Sequence, residues 1–245
     1  CSSDLIKKSL AHGADVNAKG WNGVTALEIA VKNGDVGTAK ILLDAGADLN
    51  AETSDGCTAL RLAVCRGDKA MAEYLISAGA DLNKSYKLSS SPLFGAVMLG
   101  KYEMAELLIK AGADAKAADI DGYTPLMSAL ARYDRKMAQL LIKAGAVAAS
   151  AAIYFVDGVE AYGVTPLYLA IDGGDTAAAE MMIEAGANVN SVTTWMSEDG
   201  SYKNRQTPLA LACEKGNGYI AKLLLLHGAD TTVKDYDGKT PLDFC

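Results

Sequence analysis

The sequence has few of the residues that build catalytic or metal sites. Its only two histidines, His12 and His227, each come directly before a Gly-Ala pair. A helix C-terminus accepts a donor or a cation at that point, so we interpret both as helix-end residues. The five cysteines are odd in number and share no metal-ligand spacing: Cys1, Cys57, Cys65, Cys213 and Cys245. The sequence therefore predicts no metal ion, no cofactor and no disulfide framework, and it favours a reducing compartment.

Catalytic motifs are also missing. Asp119-Ile-Asp-Gly and Asp235-Tyr-Asp-Gly resemble the start of a calcium-binding loop, but neither is followed by the glutamate that completes such a loop. Gly238-Lys-Thr240 resembles the end of a phosphate-binding loop, although Val233 stands where that loop requires glycine. The Gly-x-Ser-x-Gly motif of serine hydrolases does not occur. We therefore predict no catalytic residue, and a protein that is not an enzyme.

Long apolar runs and basic clusters do not occur either. No run reaches the roughly eighteen apolar residues that a membrane-spanning helix requires. The formal net charge is −7, and no Lys/Arg cluster is longer than two residues. This balance argues against nucleic acid as a partner and would suit a basic protein.

A hydroxyl residue followed by Pro or Ala and then by Leu recurs seven times. These motifs begin, at intervals of 33, 33, 33, 41, 42 and 33 residues, at Thr25, Thr58, Ser91, Thr124, Thr165, Thr207 and Thr240. All five prolines of the chain lie at the second position of a motif. A Thr or Ser hydroxyl can cap a helix by accepting from a free backbone N–H, and proline suits the first helical position. Each motif therefore predicts the start of a short helix.

Gly-Ala pairs and single alanines recur with the same period. The pairs, which follow apolar runs and predict left-handed helix ends, begin at Gly13, Gly46, Gly79, Gly112, Gly145, Gly186 and Gly228. Alanine lies five residues after six of the hydroxyls and seven residues before six of the glycines, at Ala30, Ala63, Ala96, Ala129, Ala170 and Ala212, and at Ala39, Ala72, Ala105, Ala138, Ala179 and Ala221. The predicted unit is a pair of short antiparallel helices whose small residues let neighbouring pairs stack closely.

This pattern resembles the ankyrin repeat, whose 33-residue unit carries a Thr-Pro-Leu-His motif and a Gly-Ala-Asp-Val-Asn ending. Matching endings are Gly13-Ala-Asp-Val-Asn17, Gly46-Ala-Asp-Leu-Asn50 and Gly79-Ala-Asp-Leu-Asn83. The family histidine is replaced in every motif, by Glu28, Arg61, Phe94, Met127, Tyr168, Ala210 and Asp243. The resemblance implies an all-α solenoid with β-hairpin loops, here interpreted as a bacterial type, that binds another protein without catalysis.

We predict a single ankyrin-repeat domain over residues 1–245. It comprises a half repeat at 1–17, full repeats from about 18, 51, 84, 117, 150 and 191, and a C-terminal stub at 233–245. Two loops are longer than the other five, with insertions at about 148–164 and 191–206. Each insertion has β-forming residues on both sides of an Asp-Gly pair, Asp157-Gly158 and Asp199-Gly200, which predicts a hairpin. These two hairpins are expected to brace each other or to bind a partner.

Aromatic residues concentrate in the loops, where they either pack across hairpins or form interface hot spots. A second set lies just before the turns between helices and is expected to face a concave groove. Together the two sets form the predicted protein-binding site: Trp21, Arg66, Tyr86, Met98, Leu99, Tyr123, Arg132, Tyr154, Phe155, Tyr162, Trp195, Met196 and Tyr202. The alternative function is an inhibitor or immunity-type protein that blocks a toxin or an enzyme. We predict a monomer.

The start of the sequence leaves two locations open. Cys1-Ser2-Ser3 resembles the start of a mature bacterial lipoprotein, which begins at a lipidated cysteine. The helical pattern begins at once, with Leu5 and Ile6, which leaves little chain for a tether. We therefore predict a cytoplasmic protein, and the alternative is a periplasmic or membrane-anchored lipoprotein if Cys1 is the mature N-terminus.

Overall fold

Pairs of short antiparallel helices recur along the chain. The computed structural model describes residues 2–84, 91–119, 121–146, 152–156, 159–196 and 202–245. These residues form two compact units, Cys1–Asp114 and Ala115–Cys245. The prediction of an ankyrin-repeat stack with hairpin loops is confirmed, whereas the single domain over residues 1–245 stays a prediction.

The first unit contains one lone helix and three helix pairs. Its helices are α1 (Ser2–Ala11), α2 (Ala26–Lys32), α3 (Val36–Asp44), α4 (Ala59–Arg66), α5 (Lys69–Ser77), α6 (Pro92–Met98) and α7 (Tyr102–Lys110). The first helices of the pairs, α2, α4 and α6, pack side by side, and α1, α3 and α5 form a second row. A 3₁₀ turn at Trp21–Gly23 precedes α2.

The second unit repeats this arrangement and adds a sheet. Its helices are α8 (Pro125–Ala131), α9 (Arg135–Lys143), α10 (Pro166–Asp172), α11 (Thr176–Glu184), α12 (Pro208–Glu214) and α13 (Gly218–Leu226). The first helices α8, α10 and α12 form one row, and α9, α11 and α13 form the other. A 3₁₀ turn at Pro241–Phe244 packs on α12.

The recurring motifs act as the sequence predicts. Six of the hydroxyls, those that start α2, α4, α6, α8, α10 and α12, accept a hydrogen bond from the backbone N–H three residues on. All five prolines occupy the first turn of a helix or 3₁₀ turn. The seven Gly-Ala glycines have φ between 84° and 99°, and the twelve recurring alanines are buried. Local chemistry thus sets the ends of each helix, and small residues set the spacing between helices.

The two long loops form one antiparallel sheet. Its strands are β1 (Ala152–Val156), β2 (Val159–Val164), β3 (Thr193–Met196) and β4 (Tyr202–Gln206), in the order β1-β2-β3-β4. Each insertion is a hairpin, and β2 pairs with β3 to join the two hairpins. The expectation that the hairpins brace each other is confirmed. Their Asp-Gly turns lie outside the described residues, as does Tyr86.

The two hairpins meet at Gly163, where only glycine fits. Its φ is +79°, and a Cβ added there would lie 2.3 Å from the carbonyl oxygen of Val192. The hydroxyl of Thr193 donates to the Gly163 carbonyl oxygen across the same junction, at 3.3 Å. The sheet therefore depends on a close backbone approach that a side chain at residue 163 would prevent.

One cysteine pair corrects the sequence analysis. Cys213 of α12 and Cys245 are joined by a disulfide, with their Cα atoms 4.6 Å apart, a single bridge that the sequence analysis, which predicted no disulfide framework, did not expect. Their separation of 32 residues is close to one repeat. Stacking of the repeats therefore brings Cys213 and Cys245 together, and their spacing along the sequence matches neither a metal site nor a local disulfide. Cys57 and Cys65 are free thiols.

Candidate protein-binding site

Tyr168 fastens the sheet to the helices. It lies in the first turn of α10, at the position of the family histidine, and is buried. Its phenol donates to Oε1 of Gln206 on β4 at 2.8 Å, and Nε2 of Gln206 donates to the carboxylate of Glu214 on α12. Burial raises the pKa of the Tyr168 phenol, so the phenol stays protonated and remains a donor. This chain of bonds fixes β4 relative to α10 and α12.

Trp195 lies on the face of the sheet that packs against the helices. Its ring centroid is 6.4 Å from that of Tyr168, with an angle of 53° between the ring planes. It pairs with buried Ala161 on β2. Because alternate residues of a strand share a face, buried Thr193 lies on this inner side as well. Trp195, predicted as a contact residue, is half-buried and supports the sheet on the side that faces the helices.

The outer face of the sheet presents a compact group of side chains. Met196 lies opposite Glu160 on one side and opposite Tyr202 on the other. Tyr162, two residues from Glu160, donates its phenol to the Glu160 carboxylate, and this bond raises the pKa of the Tyr162 phenol. Arg205 on β4 completes this group of side chains; it is exposed and lies opposite Thr194. We call Glu160, Tyr162, Met196, Tyr202 and Arg205 the outer sheet face.

Tyr202 is an exposed part of this face, with 58% of its surface accessible. Its ring stacks on Tyr236, with centroids 6.2 Å apart and 18° between the planes. Tyr236 belongs to the last loop of the chain, so this loop covers part of the sheet. Tyr154 and Phe155 lie on β1, where they pair with Ala161 and Glu160.

In the first unit, the predicted groove residues lie at the ends of first helices. Met98 ends α6 and Leu99 follows it, and both are exposed. Arg66 ends α4 and is also exposed. A Cβ added at Gly67 would lie 3.0 Å from Nζ of Lys101, so a second cation lies over this turn. The first unit thus combines an exposed apolar pair with two basic side chains.

Trp21 and Tyr123 lie on loop turns in different units. Trp21 is 93% exposed, and its turn is tied to the next loop because the Ser54 N–H donates to the Asn22 carbonyl at 2.9 Å. The Tyr123 N–H donates to Oδ1 of Asp119 at 2.8 Å. Asp119 therefore acts as a turn residue.

Tyr133 is a surface residue that the predicted site omitted. Arg132, which was predicted, follows α8 and is exposed, and Tyr133 comes next with 71% of its surface exposed. Its φ is +56°, in the left-handed region that other repeats fill with glycine. A Cβ added at Gly173 would lie 3.1 Å from the Tyr133 ring, so the ring lies against that glycine. The signal in the sequence was a tyrosine where the repeat pattern places glycine.

Two ionic contacts lie near Tyr133, at the turns between the helices of the second unit. Nζ of Lys215, just after α12, lies 2.9 Å from Asp172 at the end of α10, and this contact raises the pKa of Lys215. Nε of Arg135 on α9 lies 3.2 Å from the carboxylate of Asp175, the residue that caps the start of α11. These pairs link neighbouring repeats at the level of the inter-helix turns, beside Tyr133.

The two histidines act at helix ends. Nδ1 of His12 donates to the Lys8 carbonyl at 2.7 Å, and Nδ1 of His227 donates to the Leu223 carbonyl at 3.0 Å. In the described part of the chain, no three His, Cys, Asp or Glu side chains come together as metal ligands. None of the helices described there has the length and apolarity needed to cross a membrane.

Comparison with known families identifies the class of protein. One family model, ankyrin repeats (3 copies), matches residues 1–86 and 90–193, and another, ankyrin repeats (many copies), matches residues 196–245. The chain therefore belongs to the ankyrin-repeat family, whose members are generally non-catalytic protein-interaction modules.

Similarity to a curated protein is confined to a short stretch. Ankyrin repeat and SOCS box protein 11 from Danio rerio is 57% identical over 37 residues, which is 15% of this chain and 13% of that protein. The match is about one repeat long and shows the repeat rather than a shared whole-protein activity.

Proposed function

We propose that this chain binds another protein, without catalysis, through the outer sheet face and the exposed ends of its first helices. The observation that carries the proposal is the pairing of β2 with β3, which converts two long hairpins into one sheet. Isolated two-stranded hairpins are only marginally stable in water, whereas a four-stranded sheet can present fixed side chains. A surface fixed in advance loses little conformational entropy on binding.

The composition of the outer sheet face supports a protein partner. Tyrosine and arginine are enriched among residues that dominate binding energy, and methionine is enriched at interfaces generally. Tyr162, Met196, Tyr202 and Arg205 bring these residue types together on one face. Nucleic acid is not proposed as a partner, because the net charge is −7.

Affinity capture tests the outer sheet face directly. The tagged chain and a Met196→Ser/Tyr202→Ser variant would be incubated with lysate of the source organism, and captured proteins quantified by mass spectrometry. A partner of this face should be retained about tenfold less by the variant, because removing interface anchors commonly costs more than about 1 kcal/mol each.

A matched control uses exposed apolar side chains on α13. Tyr219 and Leu226 are as accessible as the outer sheet residues, so a Tyr219→Ser/Leu226→Ser variant should retain the partner. The proposal fails if every captured protein survives the sheet variant, or if both variants lose the same proteins equally.

The second candidate function is that of an inhibitor or immunity-type protein. The net charge of −7 favours it, because an acidic surface suits a basic toxin or enzyme. Under this proposal the captured partner is an enzyme or toxin whose activity falls when the chain is added. A neighbouring toxin gene would support it, and a partner with unchanged activity would exclude it.

Oligomeric state and location complete the proposal. We infer a monomer that behaves as one domain, which light scattering and a single cooperative unfolding transition would check. We propose the cytoplasm as the compartment. The alternative is a periplasmic or lipid-anchored protein of bacterial type, which the disulfide favours because disulfides persist in oxidising compartments.

A further inference from the structure

The two ion pairs of the second unit join fixed positions of the repeat. Lys215 lies eight residues after the hydroxyl of its repeat, and its partner Asp172 lies seven residues after the hydroxyl of the preceding repeat. Arg135 lies eleven residues after its hydroxyl, and its partner Asp175 lies ten residues after the hydroxyl of the following repeat. Because stacked repeats contact their neighbours in a regular way, residues at these positions are also expected to be neighbours in other repeats.

The same positions in the first unit carry like charges. Arg66 and Lys32 stand at the positions of the first ion pair, and Lys69 and Lys101 stand at those of the second. Two attractive contacts of the second unit are thus replaced by two pairs of cations that repel each other. Lys32, Arg66 and Lys69 are exposed, and Lys101 is half-buried. We call these four residues the basic edge.

The Lys101 side chain draws the basic edge together. A Cβ added at Gly67 would lie 3.0 Å from Nζ of Lys101, so this ammonium group lies over the turn that joins Arg66 to Lys69. The carboxylate of Asp68, in the same turn, accepts from the Met71 N–H at 3.0 Å and caps α5. Among the described residues, neither Arg66 nor Lys101 forms an ion pair. Their charges are therefore left without an acidic partner within this part of the chain.

Lys101 also gives up a helix cap. The other second helices that follow such a turn begin at a residue whose side chain accepts from a backbone N–H, namely Asp35, Asp68, Asp134, Asp175 and Asn217. Lys101 stands at that position before α7 and makes no capping bond. A cation at a helix N-terminus is unfavourable in addition, because the helix dipole is positive there. Positive charge is thus kept at this edge against the preference of the local structure, which is typical of functional positions.

Two exposed apolar side chains lie beside the basic edge. Met98 ends α6, Leu99 follows it two residues ahead of Lys101, and each is 51% exposed. The preceding repeat has Cys65 and Arg66 at these two positions. An apolar pair next to unpaired cations is complementary to a segment that presents apolar and acidic side chains together.

We propose that the basic edge and the Met98–Leu99 pair bind an acidic segment of a partner protein that also carries apolar side chains. This inference rests on the proposed protein-binding function and names the chemistry of the partner segment. Carboxylates of the segment take the part that Asp172 and Asp175 have in the second unit. Because the whole chain has a net charge of −7, this local reversal of sign directs an acidic segment to the basic edge. The same net charge disfavours nucleic acid as the occupant.

A library of random peptides displayed on phage tests the proposal, with the whole chain as the immobilised bait. Enriched peptides should combine net negative charge with apolar residues. Their affinities are then measured by fluorescence anisotropy with labelled synthetic peptides. Binding should weaken about tenfold between about 50 mM and about 500 mM salt, because salt screens exposed charges.

Two variants remove the two parts of the surface separately. An Arg66→Glu/Lys101→Asp variant should bind the enriched peptides at least about tenfold more weakly, because it reverses two charges of the basic edge. A Met98→Ser/Leu99→Ser variant should also lose about tenfold, through the apolar contacts. Lys101→Asp alone should weaken binding while raising the thermal midpoint by about 2–4 °C, since it restores a helix cap. Weaker binding by a more stable protein cannot be attributed to unfolding.

A Lys40→Glu/Lys110→Glu variant is the matched control. It makes the same change in net charge at exposed positions of α3 and α7 outside the basic edge, and it should bind the peptides as the wild type does. The proposal is overturned if no peptide is enriched, if the enriched peptides are not acidic, or if the control and the basic-edge variant weaken binding equally. It is also overturned if a single-stranded DNA oligonucleotide binds the chain more tightly than the peptides do.

These outcomes are separate from those of affinity capture with the sheet variant. Met196→Ser/Tyr202→Ser leaves the basic edge and the Met98–Leu99 pair unchanged. Capture through the outer sheet face can therefore fail while acidic peptides still bind the basic edge. Conversely, a lysate partner lost by the sheet variant stands even if no acidic peptide is enriched.

Discussion

The phenol of Tyr168 donates a 2.8 Å hydrogen bond to Oε1 of Gln206, 38 residues further along the chain. The bond joins the first turn of α10 to the last residue of β4, and both side chains are buried. A position that the family fills with histidine thus supports the sheet that distinguishes this chain. This bond therefore ties the sheet to the row of first helices.

Replacing Tyr168 by phenylalanine should destabilise the protein by about 1–3 kcal/mol, because Oε1 of Gln206 would be left buried without its donor. Urea unfolding followed by circular dichroism measures the change. Tyr219→Phe is the matched control: its phenol also donates to a side-chain oxygen, that of the Glu180 carboxylate, but at the surface. Its expected effect is below about 0.5 kcal/mol, and equal effects of the two changes would contradict a special role for Tyr168.

Gly163→Ala should separate the two hairpins. The added methyl would lie 2.3 Å from the Val192 carbonyl oxygen, so β2 and β3 cannot stay paired without a backbone shift. We expect destabilisation by more than about 2 kcal/mol, together with faster amide exchange in β3. Gly186→Ala controls for the left-handed backbone alone, because φ there is +85° with no atom within 4 Å, and should cost about 1 kcal/mol. Similar losses would show that the contact with Val192 is unimportant.

Tyr133→Gly should stabilise the fold while removing an exposed aromatic side chain. Its φ of +56° costs a non-glycine residue about 1 kcal/mol, and the ring contact with Gly173 offsets only part of this. The expected gain is about 0.5 kcal/mol in chemical unfolding. Gly174→Ala, at φ +67° in the next turn, should change stability in the opposite direction. A loss of stability in Tyr133→Gly would mean that the ring contact outweighs the backbone strain.

Glu28 should make the protein less stable as pH rises through the mildly acidic range. It is buried, Oε1 has no hydrogen-bond partner among the described residues, and burial raises the pKa of its carboxyl group. Because the folded-state pKa is raised, its contribution favours the fold fully below the unfolded-state pKa and is lost as pH rises through the folded-state value.

Glu28→Gln removes this ionisation while a side-chain oxygen can still accept from the Thr25 N–H, as Oε2 of Glu28 does at 2.8 Å. At pH 7 we expect the variant to be about 1 kcal/mol more stable than the wild type, with the difference shrinking toward pH 4. Thermal unfolding across this range measures it. A difference that does not depend on pH would exclude the buried carboxyl as the cause.

Much of the fold could be predicted because its determinants are local. Thr25 caps α2 and forms a capping box with Glu28, as its spacing indicates. Proline at the first helical position and glycine at each left-handed helix end follow from backbone sterics alone. The hairpins also follow from β-forming residues around Asp-Gly. The candidate site stays a prediction: half-buried Trp195, one of its residues, faces Tyr168, and exposed Tyr133 was left out of it.

The repeat, the helix ends and the two hairpins therefore follow from local residue patterns, since each depends on residues a few positions apart. How these elements contact one another depends on tertiary packing. It paired β2 with β3, turned Trp195 inward against Tyr168, and joined Cys213 to Cys245. These relations link residues about one repeat apart, and the distance between them is set by how the repeats stack rather than by any local preference of the chain.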